Sequence, residues 1–205
     1  MSTTKEAPVT LATSITIARF LLIPVFAWIA IRYGRTVDAG SPEESLRWLA
    51  VAIYTLASVL DGVDGWIARH FNQKSLAGAI LDPLTDKTLL MTGLVIATFV
   101  NWGIDWHLPV WFIILVVLRD LEIIGGIGIL YLVNNKVPIK PHWSGKVCTV
   151  TQMIAMGWIM LHFTAIDLIY PTLLAAFFTI WSGYEYYMMG YRQLPRNQAS
   201  MTTDR

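Results

Sequence analysis

The sequence predicts an all-α integral membrane protein with six transmembrane helices and a polar site at the cytoplasmic side. Hydrophobic residues make up 55% of the 205 residues and charged residues only 14%. Soluble domains are about 45–50% apolar and about 25% charged. The apolar residues fall into six segments, each close to the roughly 20 residues that cross a bilayer. Composition and segmentation together therefore predict a membrane fold.

The six predicted segments run in order through almost the whole chain. Their expected bounds are 15–31, 46–64, 83–102, 108–133, 147–163 and 168–191. A proline is tolerated in the first helical turn, so Pro83 predicts that segment three begins there with Asp82 as its cap. The expected organisation is a cytoplasmic segment at 1–12, a membrane domain at 13–192 and a tail at 193–205. The opening residues lack an apolar signal core, so no cleaved signal is expected.

Lysine and arginine residues predict the orientation of these segments. An even number of spans places both termini and the connections after segments two and four on one side. Most cations lie on that side: Lys5, Arg19, Arg69, Lys74, Lys87, Lys136, Lys140, Lys146, Arg192, Arg196 and Arg205. The opposite side has only Arg32, Arg35 and Arg47. Both termini are therefore expected in the cytoplasm, and the membrane is expected to be a bacterial inner (cytoplasmic) membrane.

Charge and cysteine content exclude several classes of protein. A formal net charge of +1 argues against nucleic acid as a partner, because such binding needs a basic face that releases counterions from phosphate. A lone cysteine, Cys148, excludes a disulfide scaffold. No Ser-His-Asp or Cys-His nucleophile set is recognisable, which favours direct displacement without a covalent intermediate.

Four aspartates lie between the second and third segments. Asp61 and Asp64 are three residues apart and Asp82 and Asp86 four apart, so on two helices each pair occupies one face. Acidic side chains at membrane depth cost roughly 2.5–3.5 kcal/mol each, and clustered carboxylates repel one another. Protonation or bound cations would relieve that repulsion.

Carboxylate oxygens favour Mg²⁺, Mn²⁺ or Ca²⁺ over zinc. Two cations about 3.5–4 Å apart suit a pyrophosphate substrate. Gly65 and Gly78 leave room for a ligand, and Arg69 offers a planar fork for phosphate. The alternatives are a solvated loop, a structural membrane protein, and a cation or proton transporter with an aspartate relay. A relay would spread its acids along a path through the bilayer, whereas these cluster at one end.

The same residues resemble the signature of the CDP-alcohol phosphotransferase family, DxxDGxxARx₈GxxxDxxxD. The matching positions are Asp61, Asp64, Gly65, Ala68, Arg69, Gly78, Asp82 and Asp86. The resemblance implies a six-helix membrane domain, commonly a homodimer, that uses two divalent cations, Mg or Mn. It also implies transfer of a phosphatidyl group from CDP-diacylglycerol to an acceptor hydroxyl, with release of CMP.

The resemblance also implies a role for each matching residue. Asp61, Asp64 and Asp82 would be metal ligands, and Asp86 would be a ligand or the general base. The nucleotide would be bound by Asp64, Gly65, Ala68, Arg69 and Gly78. A departure lies at Thr13, where relatives often have Asn.

The acceptor is predicted from residues outside the signature. Arg119, Lys140 and Lys146 are candidates for binding it, although Arg119 can instead form a structural ion pair with Asp120 or Glu122, and the lysines can be loop charges. The Arg119-Asp120 pair resembles cardiolipin synthases that use CDP-diacylglycerol, which implies phosphatidylglycerol as acceptor. The downstream residues that share this resemblance are Lys140, Pro141, Lys146, Thr149, Gln152, Ser182, Tyr184 and Tyr186. The alternative is phosphatidylglycerophosphate synthase, which uses glycerol 3-phosphate and tends to have Arg-Glu at the positions of Arg119 and Asp120.

Overall fold

All regular structure in the part of the chain that the structure describes is α-helical, which confirms the predicted all-α class. The computed structural model describes residues 11–70, 76–103, 106–134 and 143–193, without the side chains of 11–15, 61–70, 76–84, 131 and 133–134. Its helices are α1 (Leu11–Asp38), α2 (Glu44–His70), α3 (Leu76–Phe99), α4 (Val110–Asn134), α5 (Trp143–Met160) and α6 (Ile169–Gln193).

The start of α3 differs from the sequence prediction. The helix begins at Leu76, so Asp82 and Pro83 lie beyond its first turn and Asp82 is not its cap. Apolar residues before Asp82 extend the helix towards the N-terminus. A proline inside a helix removes one backbone hydrogen bond and bends the axis, but it does not forbid the helix. Both aspartates of this pair therefore lie on continuous helix.

One helix among the described residues is long and apolar enough to cross a membrane. This candidate span covers Thr16–Asp38 of α1, with a mean hydropathy of 1.5. In α4, three charged residues, Arg119, Asp120 and Glu122, interrupt the apolar sequence. By length and composition, the described residues thus support one of the six predicted spans.

The chain divides into two compact units. Unit 1 comprises Met1–Pro109 and Met156–Leu168, and unit 2 comprises Val110–Ala155 and Ile169–Arg205. In unit 1, α1 packs against α2 and α3, and α2 also contacts α3. In unit 2, α4 packs against α6.

Aromatic and small residues fill the core of unit 1. The rings of Phe26 and Tyr54 lie 5.2 Å apart, and those of Tyr33 and Trp102 lie 5.4 Å apart. Buried Ala30 and Ala57 allow the helix backbones to approach closely. Helix α1 is thereby fixed against α2 and the end of α3.

Two hydrogen bonds and a ring contact connect the elements at the end of unit 1 where α1 ends and α2 begins. Arg47 donates a hydrogen bond to the Met160 carbonyl (3.3 Å), and Trp106 Nε1 donates one to the Ile159 carbonyl (3.1 Å). The His162 ring packs against Trp106 at 5.5 Å and lies where a side chain at Gly103 would be. His162 lies after the end of α5 at Met160, outside the helix, and burial, then the positive charge of Arg47, lower its pKa.

Unit 2 contains a buried hydrogen-bonded set between α5 and α6. Gln152 Nε2 donates to Thr179 Oγ1 (3.0 Å) and to Cys148 Sγ (3.2 Å). Thr179 Oγ1 in turn donates to the Ala175 carbonyl (2.7 Å). Each buried polar group of this set therefore has a partner, as low-dielectric surroundings require.

We expect His162 to make the protein less stable in acid. Because its pKa is lower in the folded chain than in the unfolded chain, its contribution is present above the ordinary value of about 6.5 and is lost as pH falls through the lowered value. His162→Asn removes the titrating group, and asparagine tolerates the backbone φ of 54°.

The measurement is the melting temperature of purified protein in detergent at pH 7.5 and pH 5. The difference between the two values should be smaller in His162→Asn than in the wild type. His107→Asn, at an exposed histidine, is the control and should retain the wild-type difference. An unchanged difference in His162→Asn would contradict the prediction.

Candidate functional site

Helices α2 and α3 carry the four aspartates of the signature. Asp61 and Asp64 lie in α2, and Asp82 and Asp86 lie in α3. With about 3.6 residues per turn, each pair lies about one turn apart on its own helix. The side chains of Asp61, Asp64 and Asp82 lie outside the described residues, so their proposed convergence stays a prediction.

Asp86 is the described member of this set, and it forms an ion pair with Arg19. Nη2 of Arg19 lies 2.5 Å from Oδ1 of Asp86. The Arg19 side chain is 1% exposed, whereas that of Asp86 is 47% exposed. A buried guanidinium of unit 1 therefore holds the Asp86 carboxylate, while about half of the Asp86 side chain remains exposed.

The sequence reasoning missed the role of Arg19: it counted Arg19 among the cytoplasmic cations and matched it to an arginine of the relatives, but assigned it no partner and no function. It lies inside α1, within the candidate span Thr16–Asp38. A second contact fixes it, since its Nε donates to the carbonyl of Ala57 in α2 (3.1 Å). The available signal was an arginine within an apolar helix, because charges in such helices usually have specific partners.

The predicted nucleotide-binding residues lie on the same two helices. Gly65, Ala68 and Arg69 belong to α2, and Gly78 belongs to α3. The surroundings of these residues lie outside the described residues, as does Lys140, one of the predicted acceptor-binding residues. Their roles therefore stay predictions.

A cluster of three or more His, Cys, Asp or Glu side chains does not occur among the residues whose side chains are described. Three of the four predicted ligands fall outside that set. The fourth, Asp86, presents a half-exposed carboxylate in α3, which is an oxygen donor of the kind that hard divalent cations prefer. The chemistry of Asp86, the one predicted ligand whose side chain is described, therefore fits such a cation.

A second arginine with a largely buried side chain, Arg119, lies in unit 2. Its Nη1 donates to Oδ1 of Asp120 (3.1 Å), and its Nη2 donates to Oγ of Ser182 in α6 (2.5 Å). The guanidinium also lies over the Tyr186 ring, 5.6 Å from its centroid. The Arg119 and Asp120 side chains are 13% and 11% exposed. Of the two partners that the sequence allowed, Asp120 is therefore the one that pairs with Arg119.

Two glycines leave space beside this arginine. A Cβ at Gly145 would lie 3.5 Å from Nη2 of Arg119 and 3.3 Å from the Tyr186 hydroxyl. A Cβ at Gly183 would come within 2.9 Å of the Glu122 carboxylate. Since both contacts are tight, larger residues here would displace the side chains that surround the guanidinium.

Lys146 differs from Arg119 in its surroundings. It lies exposed on α5, and among the described residues it makes no hydrogen bond or ion pair. Its charge is therefore accessible to a ligand without the loss of a contact seen in the structure.

Comparison with known proteins identifies the family of this chain. Residues 9–182 match the CDP-alcohol phosphatidyltransferase family. The chain belongs to this family. The predicted membership of this family is thus confirmed, and the matched region includes all eight positions of the signature.

Three relatives illustrate the similarity. A Bacillus subtilis (strain 168) "CDP-diacylglycerol--glycerol-3-phosphate 3-phosphatidyltransferase" is 32% identical over 194 residues, which cover 90% of this chain and 96% of the relative. An Escherichia coli (strain K12) protein of the same name is 28% identical over 184 residues, 85% and 91% of the two chains. A Mycobacterium tuberculosis (strain H37Rv) "Probable phosphatidylglycerophosphate synthase" is 32% identical over 152 residues, 74% and 66%.

Membership of the CDP-alcohol phosphatidyltransferase family decides the class of the protein. It is an enzyme of phospholipid biosynthesis whose substrates are a CDP-alcohol and an alcohol acceptor. The expectation of an enzyme is confirmed, and the transporter and structural alternatives are set aside. The family is membrane-associated and uses divalent cations.

In this phosphatidyltransferase we expect Arg119→Met to lower thermal stability and Lys146→Met to leave it unchanged. Removing Arg119 leaves Asp120 buried without this cation, and breaking a buried ion pair costs about 3 kcal/mol or more. For a chain of this size that corresponds to a fall in melting temperature of about 6–12 °C. Thermal unfolding in detergent measures both variants, and equal melting temperatures would show that the Arg119 contacts do not stabilise unit 2.

Proposed function

We propose that this enzyme transfers the phosphatidyl group of CDP-diacylglycerol to glycerol 3-phosphate and releases CMP. The observation that carries the acceptor assignment is the Bacillus subtilis relative, which is aligned along 96% of its length and is named for glycerol 3-phosphate. The Escherichia coli relative has the same name. These names favour the alternative of the sequence analysis over phosphatidylglycerol, the acceptor of a cardiolipin synthase.

The proposed reaction is a direct displacement at phosphorus. The acceptor hydroxyl oxygen attacks the lipid-side phosphorus of the pyrophosphate, a new P–O bond forms, and the bond to the CMP oxygen breaks. Asp86 accepts the proton of the attacking hydroxyl as general base. The half-exposed carboxylate of Asp86 supports this role, because a base must be accessible to the group that it deprotonates.

We assign the binding of two divalent cations, Mg or Mn, to Asp61, Asp64, Asp82 and Asp86. When bound, such cations neutralise the pyrophosphate oxygens and stabilise the departing CMP. The nucleotide is assigned to Asp64, Gly65, Ala68, Arg69 and Gly78, as in the family signature. The helical spacing of the two aspartate pairs supports the metal assignment, because each helix offers two carboxylates about one turn apart.

The proposed setting is a bacterial inner membrane, crossed six times by a domain at 13–192. Both termini, the segment 1–12 and the tail 193–205 are assigned to the cytoplasm, with the site on that side. The candidate span in α1 supports a membrane location. A lipid substrate also does so, because its acyl chains remain in the bilayer while its head group reacts in water. A homodimer is part of the proposal, based on the family resemblance alone.

Acceptor binding is assigned to Arg119, Lys140 and Lys146. A guanidinium and two ammonium groups suit the phosphate of glycerol 3-phosphate. The exposed position of Lys146 supports its assignment most directly. Arg119 can still donate to a ligand, because a guanidinium has five N–H groups and its described contacts use two of them.

An assay of acceptor use tests the proposed function. Purified protein is incubated with CDP-diacylglycerol and Mg²⁺, separately with glycerol 3-phosphate and with phosphatidylglycerol, and CMP and lipid products are measured by mass spectrometry. We expect CMP and phosphatidylglycerophosphate only with glycerol 3-phosphate, and no turnover after chelation with EDTA. Cardiolipin formed from phosphatidylglycerol, without use of glycerol 3-phosphate, would overturn the acceptor assignment.

Lys146→Met tests the acceptor-binding residues. Loss of one charge-assisted contact to phosphate should raise the KM for glycerol 3-phosphate about tenfold, or about 1.4 kcal/mol, with an unchanged KM for CDP-diacylglycerol. Arg192→Met is the matched control, because Arg192 is an exposed cation at the end of α6. It should leave both constants unchanged, and an equal effect of the two substitutions would indicate a general charge effect.

A further inference from the structure

The Arg19–Asp86 pair connects the last aspartate of the signature to a residue outside it. We propose that Arg19 is a positioning residue that fixes the Asp86 carboxylate for phosphatidyl transfer. This inference rests on the proposed function, since it assigns Asp86 to the reacting centre. Arg19 itself touches Asp86 and the backbone of α2, and no contact with substrate is assigned to it.

Hydrogen bonds to two other helices fix the plane of the Arg19 guanidinium. Nε donates to the carbonyl of Ala57 in α2, and Nη2 donates to Oδ1 of Asp86 in α3. Arg19 belongs to α1, so its side chain connects three helices of unit 1. The position of the Asp86 carboxylate is thereby fixed relative to α1 and α2. The partner on α2 is a backbone atom, which cannot change rotamer and therefore gives the guanidinium a rigid reference point.

The burial of the pair explains why this contact matters for position. Arg19 is buried among packed side chains, whereas Asp86 is half exposed. An aspartate that faces outward samples several rotamers unless a fixed partner selects one. The Arg19 contact holds one carboxylate oxygen and so restricts the direction of the other. Catalytic groups need such restriction, because a displacement of about 1 Å can cost about 10²-fold in rate.

The contact pattern requires arginine rather than any cation. Two N–H groups of one planar fork reach acceptors on two different helices, Ala57 and Asp86. A lysine at this position keeps the charge but presents its donors from one nitrogen, so it cannot hold the same two acceptors with the same geometry. Arg19→Lys therefore separates the effect of position from the effect of charge.

A double-mutant cycle tests the proposal, with kcat and KM measured for Arg19→Lys, Asp86→Asn and the double variant. We expect Arg19→Lys to lower kcat about 10²-fold, with each KM changed less than about twofold. Asp86→Asn should lower kcat about 10³-fold and retain binding of CDP, measured by calorimetry without acceptor. The double variant should be no slower than Asp86→Asn within about threefold, because residues that act as a unit are not additive.

Arg47 provides a matched control. It too lies in unit 1, pairs with a half-exposed carboxylate, Glu44, and donates to a backbone carbonyl, that of Met160. Arg47→Lys should change the melting temperature by about as much as Arg19→Lys and leave kcat unchanged. A purely structural role for Arg19 predicts the same result for both arginines.

Three outcomes would overturn the positioning role. They are a wild-type kcat in Arg19→Lys, losses that multiply in the double variant, and a loss of kcat in Arg47→Lys equal to that in Arg19→Lys. If Arg19→Lys does not fold, Asp86→Glu decides, because it keeps the partner of Arg19 and moves the carboxylate by one methylene. A loss of about 10²-fold supports the proposal, and wild-type kcat in Asp86→Glu refutes it.

Different results would refute the proposed function and the positioning role of Arg19. Wild-type protein that releases no CMP with either acceptor would refute the proposed function itself. Active wild-type protein whose kcat does not depend on Arg19 would refute only the positioning role.

Discussion

A buried positive charge in α1 is the constraint on which the organisation of unit 1 depends. Arg19 lies within the helix that is apolar enough to cross a membrane, where an uncompensated charge costs roughly 2.5–3.5 kcal/mol or more. A carbonyl of α2 and a carboxylate of α3 compensate it. The packing of α1 against both helices and the position of the Asp86 carboxylate are therefore coupled through one side chain.

The charges of Arg19 and Arg119 are compensated in different ways. In unit 2, Arg119 and its carboxylate partner Asp120 are both largely buried, and a serine hydroxyl on α6 adds a neutral contact. In unit 1 the cation is buried but its carboxylate partner is half exposed. In the first arrangement both charges are compensated inside the protein, so the loss of either partner is destabilising. The second leaves the anion accessible to a ligand and suits a reacting group.

The sequence predicts the large features of this protein because they depend on periodicity and composition. Six apolar segments correspond to six helices among the described residues, and the spacing of the aspartates and glycines leads to the family. The start of α3 was predicted wrongly because Pro83 is compatible both with a first turn and with a bent helix. Arg19 was missed because its partner is 67 residues away. Counting the cations on each side of the membrane cannot identify a contact between residues so far apart in the sequence. The residue type directly after Arg119, Asp or Glu, does not predict the acceptor, because either carboxylate can pair with the Arg119 guanidinium.

The surroundings of Cys148 have a practical consequence for spectroscopy. It is the only cysteine in the sequence, and it is buried in contact with Gln152 and Thr179. Thiol reagents reach exposed thiolates far faster than buried thiols in such surroundings. A spin label or fluorophore can therefore be attached to a cysteine engineered on the surface while the native thiol stays in place, so that helix movements during turnover can be followed in the otherwise unaltered enzyme.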